Sequence, residues 1–178
     1  MSGRAWRTLG ATVRGAAHAR REQPNQDALV LSDGCIAIAD GHGSAPCFRS
    51  DVGARIAALL AVQVLAEGAA DTLVLRWRRA VEEHIAAYPD PSRAVTIGAY
   101  GSTALAAKAD EAVLRFLQIG DGDILLVDGS GAVTRQFCRN EILGVETESL
   151  CMRDAEAAVH YAATPVADTS ASTAMPAM

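Results

Sequence analysis

The sequence predicts an α+β fold, with helices packed on the faces of antiparallel β-sheet. Short apolar runs bounded by turn residues occur at both the front and the back of the chain. Between them lies a stretch whose apolar residues recur at helical spacing. Strands therefore come in blocks and do not alternate with helices, which argues against βαβ units and a parallel sheet.

Taken in order, residues 6–13 predict a first strand and residues 28–31 a second. Ser32-Asp33-Gly34 is a turn signal, with glycine supplying the positive φ that a tight hairpin needs, and residues 35–39 form the next strand. The period then changes. Val52, Ile56, Leu59, Leu60 and Val64 recur at helical steps, with Gly68 as the stop. A second helix is predicted from Asp71, as N-cap, to about Tyr88, where Pro89 and Pro91 follow. Leu73, Trp77, Val81 and Ile85 mark its apolar face, and Arg76, Arg78, Arg79, Glu82 and Glu83 its solvated side. Strands return at residues 102–109 and 112–119 around Asp110-Glu111, then at 124–127 and 132–137 around Asp128-Gly129-Ser130-Gly131, as an antiparallel meander. From residue 146 onward there is no clear periodicity, and residues 168–178 read as a loop or tail.

Length and composition fit one domain. The 178 residues are 50% hydrophobic and 21% charged, enough for a single core. The expected organisation is one unit over residues 1–178, with its core at about 5–145 and a weakly structured remainder at 146–178. A net charge of −5 argues against a nucleic-acid surface or an anionic membrane surface. No apolar stretch approaches a membrane span, and residues 1–12 lack a signal-peptide core. The four cysteines (Cys35, Cys47, Cys138, Cys151) form no C-x-x-C pair, so a structural zinc site has little support. The default expectation is a cytoplasmic protein with free thiols.

Chemistry is suggested by acids at strand ends. Asp27 begins one predicted strand and Asp40 ends the next, so an antiparallel hairpin places both at one end of the sheet. Asp121, in Gly120-Asp121-Gly122, lies at another break between strands. Three carboxylates so placed suit a hard cation such as Mg²⁺ or Mn²⁺. Any one Asp-Gly step is far more often an ordinary turn, and the weight comes from their order.

That order carries a resemblance. Asn25-Gln26-Asp27, Asp40-Gly41-His42-Gly43, Gly101-Ser102-Thr103-Ala104 and Gly120-Asp121-Gly122 resemble, in sequence, the motifs of metal-dependent type 2C protein serine/threonine phosphatases, and are most similar to the bacterial branch. The resemblance spans roughly residues 5–137. It implies a β-sandwich flanked by helix pairs, a two-metal site for Mn²⁺ or Mg²⁺, and phosphoserine or phosphothreonine proteins as substrates. It further implies that Asp40 bridges the metals, that the Gly41 carbonyl is a ligand, and that Asp27 acts through water. Asp121 would serve a further, weaker metal, and His42 would be the general acid. Of the arginines that could grip substrate phosphate, Arg21 is preferred over Arg20. The underlying chemistry needs no nucleophilic side chain, because two cations ~4 Å apart activate water and clamp phosphoryl oxygens.

The chain departs from the pattern in three places. Gln26 stands where many relatives have Glu, and the arginines are one residue farther from the first motif than usual. After Asp121 there is neither a Ser/Thr-Asp-Gly nor an Asp-Asn motif. The expectation is therefore the front part of a phosphatase domain, missing its C-terminal strands, with impaired activity and sheet edges open to self-association. The rival expectation is a non-catalytic binding or regulatory module on the same fold.

Overall fold

A computed structural model describes residues 6–137, 148–166 and 172–174. Helix α1 (Ala16–Arg20) leads into the hairpin β1 (Ala28–Ser32) and β2 (Cys35–Ala39). Helices α2 (Ser50–Glu67) and α3 (Leu73–Ala87) follow, then β3 (Ala104–Ala109), β4 (Val113–Ile119), β5 (Leu125–Val127), β6 (Val133–Arg135), β7 (His160–Pro165) and β8 (Ser172–Ala174). One sheet has the order β1-β2-β3-β4-β7 and a second the order β6-β5-β8, with every pairing antiparallel.

Two apolar layers hold these elements together. The helix pair packs on one face of the five-stranded sheet, around Ala37, Ala39, Ala104, Ala106 and Leu117. On the other face, Leu105, Leu114 and Phe116 meet Ile124 and Leu126 from the smaller sheet. The result is a helix layer and two sheet layers, the sandwich with flanking helices expected from the sequence, with one helix pair among the described residues. No helix among them is long and apolar enough to cross a membrane.

The β1–β2 turn is Asp33-Gly34, with Ser32 opposite Cys35. Gly34 has φ +63, and a Cβ there would come within 2.6 Å of the Ala109 carbonyl oxygen. Helix α2 turns its small residues to the sheet. Gly53, Ala54, Ala57, Ala58 and Ala61 are buried, whereas Leu59 is 52% exposed. Small side chains on both surfaces let helix and sheet approach closely. Gly68, in the left-handed conformation, ends α2 by donating to Leu65 and Val64 carbonyls. In α3, Leu73, Trp77 and Val81 are fully buried, and Trp77 Nε1 donates to the Gly53 carbonyl at 3.0 Å.

Several expectations need correction. Residues 6–13 form no strand. They cross the sheet face turned away from the helices, tied by Trp6 Nε1 to the Asp110 carbonyl (3.2 Å) and by Thr8 Oγ1 to the Ser32 carbonyl (3.3 Å). Gly10 packs on Leu29 and Leu31 side chains, so the segment stacks over a face and does not extend an edge. Asp71 is not an N-cap. It lies in a single 3-10 turn (Ala70–Thr72), and Thr72 precedes α3 without a side-chain cap. The meander is also broken: Gly120 (φ +92) and Gly122 (φ +104) turn the chain out of the first sheet and into the second. Within the stretch expected to be weakly structured, β7 pairs with β4 over six residues and β8 pairs with β5. Alternation was absent there because β7 is an edge strand with mostly exposed residues. Cys138, the Asp168-Thr169 step and residues 175–178 lie outside the described residues.

Candidate active site

Antiparallel order places the start of β1, the end of β2, the start of β3 and the end of β4 at one end of the five-stranded sheet. Ala28 pairs with Ala39, so Asp27 and Asp40 are the next residues outward on neighbouring strands. Their carboxyl groups are close enough for the Asp27 charge to act on Asp40. Ala104 pairs with Ile119, which puts Gly120-Asp121-Gly122 beside the 101–103 segment at the same end.

Backbone bonds stitch the Asp40-Gly41-His42 turn to that segment. Asp40 N–H donates to Thr103 Oγ1 (3.1 Å), and Thr103 N–H returns a bond to the Asp40 carbonyl (2.9 Å). Gly41 bridges Ser102, and His42 N–H donates to the Gly101 carbonyl (3.0 Å). Gly41 has to be glycine, because a Cβ would sit 2.5 Å from the Gln26 carbonyl oxygen and 2.7 Å from that of Ser50. Gly101 has to be small as well, since its missing Cβ leaves room for the His42 ring, whose Cδ2 would lie 2.6 Å away.

The electrostatics are those of crowded acids. The Asp40 carboxyl is pushed up from 3.8 to about 7, first by burial, then by the Asp27 charge, and then by Asp121. Such a pair is relieved by a proton or by a cation. Gln26 offers a second unmet demand. Its Nε2 donates to Ser50 Oγ (2.8 Å), while its buried Oε1 has no hydrogen-bond partner among the described residues. That oxygen faces Gly43, 3.4 Å from where a Cβ would stand. An acid pair and an orphaned amide oxygen fit a hard divalent cation with its water. Among the described residues, no three His, Cys, Asp or Glu side chains form a ready coordination cluster.

The structure thus brings Asp27, Asp40, Gly41, His42 and Asp121 to one sheet end. Asp121 is exposed and acts on Asp40 through its charge. Arg20 and Arg21 are exposed at the end of α1. That helix adjoins the site through His18, whose Nε2 lies 3.5 Å from the Cβ position of Gly43.

Sequence reasoning missed the supports. Buried Gln118 donates to the carbonyls of Gly120 (3.1 Å) and Gly122 (2.9 Å), fixing the Asp121 loop. Ser50, fully buried at the start of α2, orients Gln26. Ser149 Oγ bonds the Ser102 carbonyl (3.2 Å) and anchors the floor. Gln118 carried a signal, a lone polar residue in an apolar strand, whereas Ser50 and Ser149 have polar neighbours and carried none.

Solved proteins share this fold. Solved structures with a similar fold include PppA, a key regulatory component of T6SS in Pseudomonas aeruginosa (17% identity, TM-score 0.57, 80% of this chain and 65% of that one). The catalytic domain of the serine threonine protein phosphatase PstP, in complex with two manganese ions, is similar over 92% of this chain and 71% of its own (16% identity, TM-score 0.51). The Mycobacterium tuberculosis serine/threonine phosphatase PstP/Ppp gives 15% identity and TM-score 0.52 over 92% and 72%. At these identities the likeness is one of fold, and the chain spans slightly less than two thirds of the PppA chain. No curated protein is significantly similar in sequence. The sequence model of Protein phosphatase 2C matches residues 14–172, nearly the whole chain, and this chain belongs to the protein phosphatase 2C family.

Proposed function

We propose that this chain hydrolyses phosphoserine and phosphothreonine in proteins with Mn²⁺ or Mg²⁺ as cofactor. The observation that carries the reading is the Asp27–Asp40 pair, set side by side at the ends of paired strands, with Asp40 two residues before His42. Asp27, Asp40, the Gly41 carbonyl and Asp121 would hold the cations. When bound, these supply Lewis-acid chemistry, drawing charge from the phosphoryl oxygens and acidifying the attacking water. The chain's own residues do the rest. Asp40, fixed by its backbone bonds to Thr103, keeps the acid pair in register with the sheet. His42, anchored by its N–H on Gly101, would donate a ring proton to the departing serine or threonine oxygen as its P–O bond breaks. Arg21, or Arg20, would pair with the phosphate from α1.

The test is phosphate release from a phosphothreonine peptide, with and without Mn²⁺. Metal-dependent turnover that is lost in Asp40→Asn supports the reading. Turnover that ignores both metal and this substitution refutes it. A second reading, a phosphatase-like binding module, is favoured by the lack of a three-ligand cluster among the described residues. Calorimetry separates the two: two tight Mn²⁺ sites favour the enzyme, and one weak site or none favours the module. Self-association would add a copy at β1 or β7, the edges of the larger sheet, and sedimentation would detect it.

A further inference from the structure

Two thiols outside the phosphatase chemistry converge beneath His42. A Cβ on Gly101 would stand 3.3 Å from Cys47 Sγ and 3.2 Å from Cys151 Sγ, so the sulfurs are separated by at most about twice that distance. The thiols come from segments far apart in sequence. Cys47 sits in the loop between the His42 turn and α2, with its N–H on the Ser44 carbonyl (2.9 Å). Cys151 sits in a turn tied to the site floor, where Leu150 N–H donates to the Ser102 carbonyl (3.0 Å). Gly101 puts no side chain between them.

Chemistry and access favour this pair over Cys35. Both Cys47 and Cys151 are partly exposed, whereas Cys35 is 2% exposed in the core and its thiol is pushed up to about 11 by burial. Ser149 Oγ, whose own proton goes to the Ser102 carbonyl, lies 3.3 Å from Cys151 Sγ and can accept from its thiol. A change of χ1 rotamer moves a cysteine sulfur by roughly 3 Å, a step comparable with the gap between the two sulfurs.

We propose that Cys47 and Cys151 are a redox pair that forms a reversible disulfide under the catalytic turn and governs His42. A hydroperoxide is the oxidant. One thiolate attacks its O–O bond, giving a sulfenic acid and releasing hydroxide or alkoxide. The second thiolate then attacks the sulfenic sulfur, the S–S bond forms as the S–O bond breaks, and the departing hydroxide takes a proton from solvent to become water. The two electrons come from the two thiols, and an external dithiol returns them by exchange. Once formed, the bond pulls the 44–49 loop and the 149–155 turn together beside the His42 ring. The control of His42 rests on the phosphatase reading, whereas the pairing does not.

The test treats the full chain with hydrogen peroxide, blocks remaining thiols, and maps cross-linked peptides without reduction. The expected result is a Cys47–Cys151 peptide pair, lost on dithiothreitol treatment, absent in Cys47→Ser and Cys151→Ser, and retained in Cys138→Ser. A bond that instead joins Cys138 or Cys35 overturns the pairing, as does continued alkylation of both Cys47 and Cys151 after peroxide has oxidised a free dithiol in the same tube. Phosphatase activity should fall at least about tenfold on oxidation, since an ångström of misplacement costs up to ~10². It should recover on reduction and resist peroxide in Cys151→Ser. Activity unchanged in a fully cross-linked sample overturns the control of His42. A correct cross-link in a chain with no phosphatase activity upholds the pair and counts against the phosphatase reading alone.

Discussion

Gly53→Ala sets two rules against each other. Within a helix, alanine is favoured over glycine by about 1 kcal/mol, so propensity alone predicts a more stable protein. Gly53 lies in α2 against the backbone of Tyr100, however. A Cβ there would overlap the Tyr100 carbonyl oxygen, come 2.8 Å from its carbonyl carbon and 3.0 Å from its Cβ. No flexible side chain can yield, so α2 and the Tyr100 segment must separate. Overpacking of this kind costs about 1–3 kcal/mol, and more where backbone must move. The shift also strains the buried bond from Trp77 Nε1 to the Gly53 carbonyl, worth about 1 kcal/mol. After subtracting the propensity gain, the expected loss is about 2 kcal/mol, or about 4–8 °C in Tm for a chain of this size. Urea unfolding followed by far-UV circular dichroism measures it. Gly68→Ala is the companion: nothing lies within 4 Å of its Cβ position, but φ is +71, so it should lose about 1 kcal/mol from conformation alone. Because Gly101, next to Tyr100, accepts the His42 N–H, Gly53→Ala should also lower kcat more than Gly68→Ala. A Gly53→Ala protein as stable as the parent would refute the close-packing argument.

Three further outcomes are expected. Asp40 binds its proton more tightly folded than unfolded, so in metal-free protein it contributes a stability that is complete below pH 3.8 and lost as pH rises to about 7. At ~1.4 kcal/mol per pH unit the ceiling is about 4 kcal/mol. Solvent screening at a half-exposed site reduces it to about 1–2 kcal/mol. Asp40→Asn should therefore raise the Tm of chelator-treated protein at pH 7.5 by a few degrees, with a much smaller gain at pH 5. Scanning fluorimetry across that range decides it, and a gain independent of pH would count against the crowded acid pair. Gln118→Leu strands the carbonyls of Gly120 and Gly122, costing about 1–3 kcal/mol in urea unfolding and weakening any Mn²⁺ binding through Asp121 in calorimetry. Arg79→Ala breaks a bond to Glu83 between largely exposed side chains and should change stability by less than about 0.5 kcal/mol in the same assay.

The elements legible in the sequence were those whose signal is local. The β1–β2 hairpin follows from Asp33-Gly34, and the C-terminus of α2 from Gly68, because each glycine answers a backbone demand that neighbours within a few residues create. The face of α3 was readable because Leu73, Trp77 and Val81 are large and repeat at four-residue steps. The buried face of α2 was not readable from its large residues. The close approach to the sheet selects alanine and glycine there and pushes Leu59 outward, and small residues carry little periodic signal. Strand β7 escaped notice because an edge strand buries too little to alternate.

The candidate site divides along the same line. Sequence alone determined the acids and their order: Asp27 before one strand, Asp40 and His42 after the next, and Asp121 between two glycines. Antiparallel pairing of neighbouring strands already implied that the first two meet. Only the tertiary structure decided what surrounds them. It placed Gln118 under the Asp121 loop, Ser50 against Gln26, and Cys47 and Cys151 both against Gly101. The serine and cysteine contacts join residues tens of positions apart, through packing that has no repeat and no motif, and the glutamine contacts depend on how the glycine turn folds back over its strand. A sequence records which groups are available, but distance between them is fixed only when the helices and sheets close on one another.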